Sequence, residues 1–190
     1  MMRRLLAIAV FSLPAPLTAA PDYQAACAVP VAAEFVRRLD DWHAGLGERA
    51  VQALPSLREV SDLRVRMDRL QRAWQLQRLA WAAEHDPDRV ELGQGIPTAL
   101  AMAWSEALEA QLRSAEPDYA DLRAQWRTAE RAERRHPKRE ALQRVLRERV
   151  LNSPAYVESA RTLAERVAPL NERWRACAAL DRPRVQSLTE

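Results

Sequence analysis

Two of the three histidines stand three residues after a carboxylate, in Asp40-Asp41-Trp42-His43 and Glu133-Arg134-Arg135-His136. Residues i and i+3 share a helix face, so each pair offers an oxygen and a nitrogen to one ion, as Glu-x-x-His pairs do in di-iron bundles. Asp40, His43, Glu133 and His136 are therefore the candidate metal ligands. Such bundles need two further carboxylates on facing helices, one pair here begins with Asp, and His136 sits beside Pro137 among basic residues. Two rim histidines fit the same spacing, and no cofactor is expected. His85, Asp86, Asp88 and Glu91 form a second oxygen-rich group suited to a hard cation. A helix end closed by His and Asp-Pro has the same composition.

Trp42, Trp74, Trp81, Trp104, Trp126 and Trp174 all fall on apolar stripes of helical spacing, which ordinarily marks core. A tryptophan left partly uncovered would instead line a groove for an apolar ligand or a partner helix. Trp74, Trp81 and Trp104 are the candidate binding residues on that account. The chain has no Gly-x-Ser-x-Gly elbow, Cys-x-x-Cys-His haem attachment, His-Glu-x-x-His pair or phosphate loop. With both cysteines expected in a bond there is no reactive thiol either, and an enzyme is not the expectation.

Those two cysteines, Cys27 and Cys177, lie 150 residues apart. An isolated pair in an oxidising compartment is most simply a disulfide. The compartment is read from the opening residues: Met1-Met2-Arg3-Arg4, then the apolar run Leu5 to Leu13, then the small segment Thr18-Ala19-Ala20. Basic, apolar and small in that order predicts a secretory signal peptide over residues 1–20, with 21–190 as a single helical domain. The apolar run is too short to span roughly 30 Å of hydrocarbon, and no later stretch approaches the ~18 apolar residues of a membrane helix.

The elements that must position these residues are helical. Of 190 residues 48% are apolar and only 4 are Gly, which disfavours β-sandwiches, barrels and Gly-rich nucleotide folds. Of the 29 basic residues all but Lys138 are Arg, and loss of Arg3 and Arg4 with the leader would leave 27 against 26 acidic ones. Asp62/Arg66, Asp68/Arg72, Glu130/Arg134 and Glu140/Arg144 show the i, i+4 spacing of solvated helix faces. Charge is therefore interspersed, and nucleic acid is not an expected partner.

Phe35, Leu39, Trp42 and Leu46 mark a first helix that Gly45 and Gly47 should weaken or end. Ser56-Leu57-Arg58-Glu59 reads as a capping box opening a long central helix to His85, stopped by Asp86-Pro87. Pro97 opens a third helix bearing Leu100, Trp104, Leu108 and Leu112, and Pro117 a fourth that Pro137 kinks or restarts. Ser153-Pro154 caps the last, whose stripe runs Tyr156, Ala160, Leu163, Val167, Leu170, Trp174, Cys177. The expected fold is an all-α antiparallel bundle of about five or six helices with one long central helix, its N- and C-terminal helices joined by the disulfide.

Leu70-Gln71-Arg72-Ala73-Trp74, downstream of Leu39-Asp40, resembles the Leu, Gln-Arg-x-Trp hairpin of small periplasmic lysozyme-inhibitor proteins. The cysteines that frame that module are missing beside Trp74, and nothing is carried over from it. The function expected is that of an exported, periplasmic or secreted, non-enzymatic protein binding a protein partner in the cell envelope, as an inhibitor, accessory or chaperone-like factor does. The alternative is a metal- or small-ligand-binding bundle built on the carboxylate-x-x-His pairs.

Overall fold

A computed structural model describes residues 23–180. The leader read over residues 1–20, and its boundary with the mature chain, lie outside the described residues. Seven α-helices make up the described chain: α1 (Tyr23–Ala53), α2 (Arg58–His85), α3 (Ile96–Leu100), α4 (Glu106–Ala115), α5 (Pro117–Arg135), α6 (Arg139–Val145) and α7 (Pro154–Ala178). A 3-10 turn, Pro55–Leu57, joins α1 to α2, and a π-helical turn, Leu146–Val150, extends α6. No strand and no helix long and apolar enough to cross a membrane occurs among the described residues. The all-α antiparallel bundle is the observed class.

The long helices lie in the order α7, α1, α2, α5, each packed chiefly on its neighbours in that row. Side-chain contacts give the directions. Cys27 bonds Cys177 while Trp42 packs on Tyr156, so α1 and α7 are antiparallel. Arg78 meets Tyr119 while Arg64 meets Glu133, so α2 and α5 are antiparallel too. The segment of α6 and the π turn crosses the α1–α2 connection and delivers α7 to the far side of α1.

Burial is divided between two ends. One apolar cluster joins Ala28, Val31, Ala32, Phe35 and Val36 of α1 to Leu79, Ala82 and Ala83 of α2, to α3, and to Leu170, Trp174 and Cys177 of α7. The Trp174 indole donates to the carbonyls of Leu92 (3.1 Å) and Gln94 (2.8 Å), which ties the loop before α3 to the last helix. The other cluster joins Leu46 and Ala50 to Leu57, Val60, Leu142, Val145 and Val150. Between them, from Arg37 to Gly45, α1 has no fully buried residue.

Several boundaries differ from expectation. Helix α1 runs through Gly45 and Gly47 to Ala53. A glycine in a helix costs about 1 kcal/mol, which tertiary packing overrides. Gly47 is closely approached: a Cβ there would lie 2.8 Å from Ser61 Oγ and 3.1 Å from Val65 Cγ2, so those side chains would have to shift, whereas one at Gly45 meets nothing within 4 Å. The capping box does not form, because Ser56 lies within the 3-10 turn and Leu57 takes the cap position with no side-chain bond. The expected third helix is two, since Ser105 accepts from Leu108 N at 3.2 Å and starts α4 afresh. Ser153 caps α7 as expected, accepting from Tyr156 N at 3.1 Å. Of the four expected i, i+4 ion pairs, Glu130–Arg134 forms at 2.8 Å. Asp68 is taken by Arg64 instead, and Arg72 turns to Asp40 across the α1–α2 interface.

The Cys27–Cys177 disulfide, with Cα atoms 5.6 Å apart, closes the first helix on the last. Constraining so long a loop in the unfolded chain is worth about 2–5 kcal/mol. The Cys27→Ser/Cys177→Ser variant should melt roughly 5–15 °C below the oxidised protein in a circular dichroism scan. A melting point that dithiothreitol leaves unmoved would contradict this. At the glycines, Gly45→Ala should stabilise by about 0.5–1 kcal/mol. Gly47→Ala should destabilise, its overpacking cost of about 1–3 kcal/mol exceeding the same helix gain. Urea unfolding of the two variants checks the opposite signs.

Candidate functional site

The carboxylate-x-x-His pairs are not assembled as ligands. Asp40 accepts from Arg72 Nε at 2.5 Å. His43 spends its Nδ1 proton on the Leu39 carbonyl, 2.8 Å away in its own helix. The second pair fails for a backbone reason: proline disfavours helical geometry in the residue before it, and His136, with ψ 128°, lies beyond the end of α5. Its ring leaves the Glu133 face, accepts from Lys138 N at 3.1 Å, and brings Nε2 within 3.6 Å of Glu59. Glu133 is 4% exposed and sits between Arg64 (3.5 Å) and Arg139 (3.3 Å).

Among the described residues no three His, Cys, Asp or Glu side chains gather as a metal set would require. In the loop after α2, Asp86 pairs with Arg89 at 2.9 Å, and His85 stacks on Trp81 with ring centroids 4.6 Å apart. His43 and Glu133 do share surroundings: both line a cavity of about 490 Å³ under the π turn, with Arg64, Asp68, Leu142 and Arg147 among its walls. Burial holds the His43 imidazole below its usual value, and Arg72 adds to this against the opposing Leu39 carbonyl, Asp68 and Asp40. The ring is therefore neutral near pH 7.

The three candidate tryptophans are brought together, and a fourth joins them. Trp74 and Trp81 project from α2 towards Trp104, in the segment before α4, and Trp126 of α5. Two guanidinium groups lie against the rings. Arg78 lies 5.3 Å from the Trp104 centroid and 4.4 Å from that of Trp74; Arg123 lies 4.2 Å from Trp74 and 5.0 Å from Trp126. Trp74 and Trp126 also meet edge to face at 5.8 Å. Arg78 is shared by Trp104 and Trp74, and Arg123 by Trp74 and Trp126, a continuous cluster of four cation–π contacts, each worth about 0.5–2 kcal/mol.

Glu109 of α4 and Tyr119 of α5 hold the two arginines. Glu109 is 8% exposed, bonded by Arg78, by Arg123 Nε at 3.0 Å and by the Tyr119 hydroxyl at 2.6 Å. That hydroxyl also accepts from Arg78 Nε at 2.9 Å. Burial and the bond to Glu109 push the phenol up to about 12, so it stays a donor. Burial alone would raise Glu109, but the bonds from Tyr119, Arg78 and Arg123 outweigh it and keep the carboxyl below its ordinary value. The arginines and Glu109 were not among the residues singled out from sequence. Their signal was present as Trp74/Arg78 at i, i+4 and Arg123/Trp126 at i, i+3, spacings that put ring and cation side by side.

A third feature lies between α1 and α7. With both ends of the pair pinned, the middle opens into a trough of about 530 Å³. Trp42, Leu46 and Leu163 form its apolar surface, while Gly45, Ala155 and Ser159 keep it low. Arg49 bonds the Ala155 carbonyl (3.0 Å) and Ser159 Oγ (3.1 Å), and the Trp42 indole donates to the same hydroxyl at 3.4 Å. Among the described residues no carboxylate lies in ion-pair range of Arg49 or Arg166, both of which line the trough.

No protein family, curated protein or solved structure matches this chain.

The depressed His43 sets a sign for pH dependence. Below the ordinary value of 6.5 the unfolded chain gains a proton that the folded ring resists, so folding stability should fall as pH drops through that value towards the lower folded one. His43→Gln, which keeps a donor for Leu39, should flatten this part of the stability profile between pH 7 and pH 5. Urea midpoints measured across that range check it; parallel profiles for the two proteins would refute the assignment.

Proposed function

We propose that this is an exported, non-enzymatic helical protein of the periplasm or extracellular space that binds a protein partner in the cell envelope, as an inhibitor, accessory or chaperone-like factor. The trough between α1 and α7 carries the reading. Along α1 it is lined by Arg38, Asp41, Trp42, Gly45, Leu46 and Arg49, a three-four spacing that keeps one face turned to the groove. From Arg38 to Arg49 the trough is about 16 Å long at the helical rise, roughly three turns of a guest helix. Amphipathic helices bind such grooves through an apolar face.

Charge narrows the guest. Glu34 occupies Arg38, and Arg161 occupies Glu158 on the other wall, but Arg49 and Arg166 meet carbonyls, hydroxyls or solvent and outnumber Asp41, the one lining carboxylate left without an ion pair among the described residues. An acidic helical segment of a partner would supply the missing carboxylates while its apolar face covered Trp42, Leu46 and Leu163. Such rim charges act mainly on association rate and partner choice. The disulfide, and the lack of a membrane-crossing helix among the described residues, agree with export.

A photoreactive amino acid placed at Thr162, inside the trough, should give a discrete adduct in envelope preparations of the native host. The same group at exposed Glu172 on the same helix should give none. Arg49→Glu/Arg166→Glu should remove the Thr162 adduct while the circular dichroism spectrum stays unchanged. An adduct that survives charge reversal, or equal labelling from both positions, would overturn the proposal.

A further inference from the structure

The tryptophan–arginine cluster carries an unbalanced charge. Two guanidinium groups, Arg78 and Arg123, lie within it with only 13% and 15% of their side-chain surface exposed. Glu109 is the only carboxylate in ion-pair range of either among the described residues. Tyr119 is neutral, so the cluster holds one net positive charge in a largely dehydrated place. Cation–π contacts offset part of that cost, but a buried charge without a counter-ion still costs several kcal/mol.

The hydrogen-bond inventory is unbalanced in the same direction. Trp74 Nε1, Trp104 Nε1, Trp126 Nε1 and Arg123 Nη1 are buried donors with no protein partner, and Trp74 is only 8% exposed overall. Against these four donors, the one unpartnered buried side-chain acceptor among the described residues is Gln77 Oε1 on α2. Buried donors are nearly always paired, so a group of them around one residual cation calls for an acceptor that carries negative charge.

We propose that this cluster is a binding site for a small monovalent anion, of the size of a halide or a carboxylate group, held beside Arg123 by the unpartnered donors around it. Charge decides the class. One negative charge brings the cluster to neutrality, whereas a dianion would overshoot and repel Glu109 from the same arginines. The cluster borders the surface, since Trp104 and Trp126 are half-buried and α4 beside it is mostly exposed. The site is separate from the α1–α7 trough and stands or falls independently of it.

Four tryptophans in or beside the site make intrinsic fluorescence the readout. The oxidised full-length protein in low-salt buffer at pH 7.5 is titrated with sodium chloride, sodium acetate and, at matched ionic strength, sodium sulfate. Chloride and acetate should each give a saturable change in tryptophan emission and a concentration-dependent rise in melting temperature; sulfate should give neither. Arg123→Met leaves Arg78 and Glu109 as a neutral pair and should abolish saturation. Glu109→Gln removes the competing charge and should tighten anion binding roughly tenfold or more. Should Arg123→Met fail to fold, the sulfate comparison and Glu109→Gln still decide. Equal, non-saturating responses to all three salts, or unaltered affinity in Glu109→Gln, would overturn the proposal.

Discussion

The structure depends on α1 serving two partners at once. It lies between α2 and α7 and is buried against both, yet its middle, from Arg37 to Gly45, is rich in charged residues and has none fully buried. An apolar residue facing each neighbour at every turn would leave a helix hydrophobic all round. Here the two ends supply the apolar contacts, and a waist of Arg38, Asp40 and His43 separates them. Dispersion and water exclusion act at the ends, while hydrogen bonds and ion pairs set the register between. The trough and the cavity under the π turn both reach this part of α1, on its two sides, where close packing gives way.

Arginine suits the same arrangement. Asp40 takes Arg72 from another helix, Glu133 takes Arg64 and Arg139, and Glu109 takes Arg78 and Arg123. A guanidinium is planar, can bond a carboxylate through one edge and can lie flat on an indole, so Arg78 and Arg123 serve both purposes together. An ammonium would have the charge without the plane. Each of these carboxylates is held by a helix other than its own, which links the row in sequence: α1 to α2, α2 to α5, and α2 to α4 and α5.

Much of the fold was legible. The cysteine pair, the Ser153-Pro154 start of α7 and the stripe ending in Trp174 and Cys177 required only local spacing, and each appears in the structure. What failed depended on tertiary context. Gly45 and Gly47 read as a stop because glycine lowers helix propensity, but propensity does not reveal that α2 presses on α1 at Ser61. Ser105 was overlooked as a cap because Leu100, Trp104 and Leu108 keep apolar spacing across the break. At the candidate site the tryptophans were legible as a group, since their stripes converge. Reading them as core or as an apolar groove missed the arginines one turn away, which are largely buried beside the rings. The π turn left no sequence signal.

The crossover that carries the chain over the α1–α2 connection has a temporal consequence. Helix α7 is the last of the row to be synthesised, and its contacts with α1 span more than a hundred residues. Helices α1, α2 and α5 can zip together in the order in which they emerge, but the flank of α1 bearing Cys27 stays uncovered until residues 154–178 arrive. The α1–α7 contact therefore carries the largest loop-closure entropy in the row, and it covers the apolar strip of α1 that bears Cys27. Oxidation of Cys27 and Cys177 turns that docking into a latch.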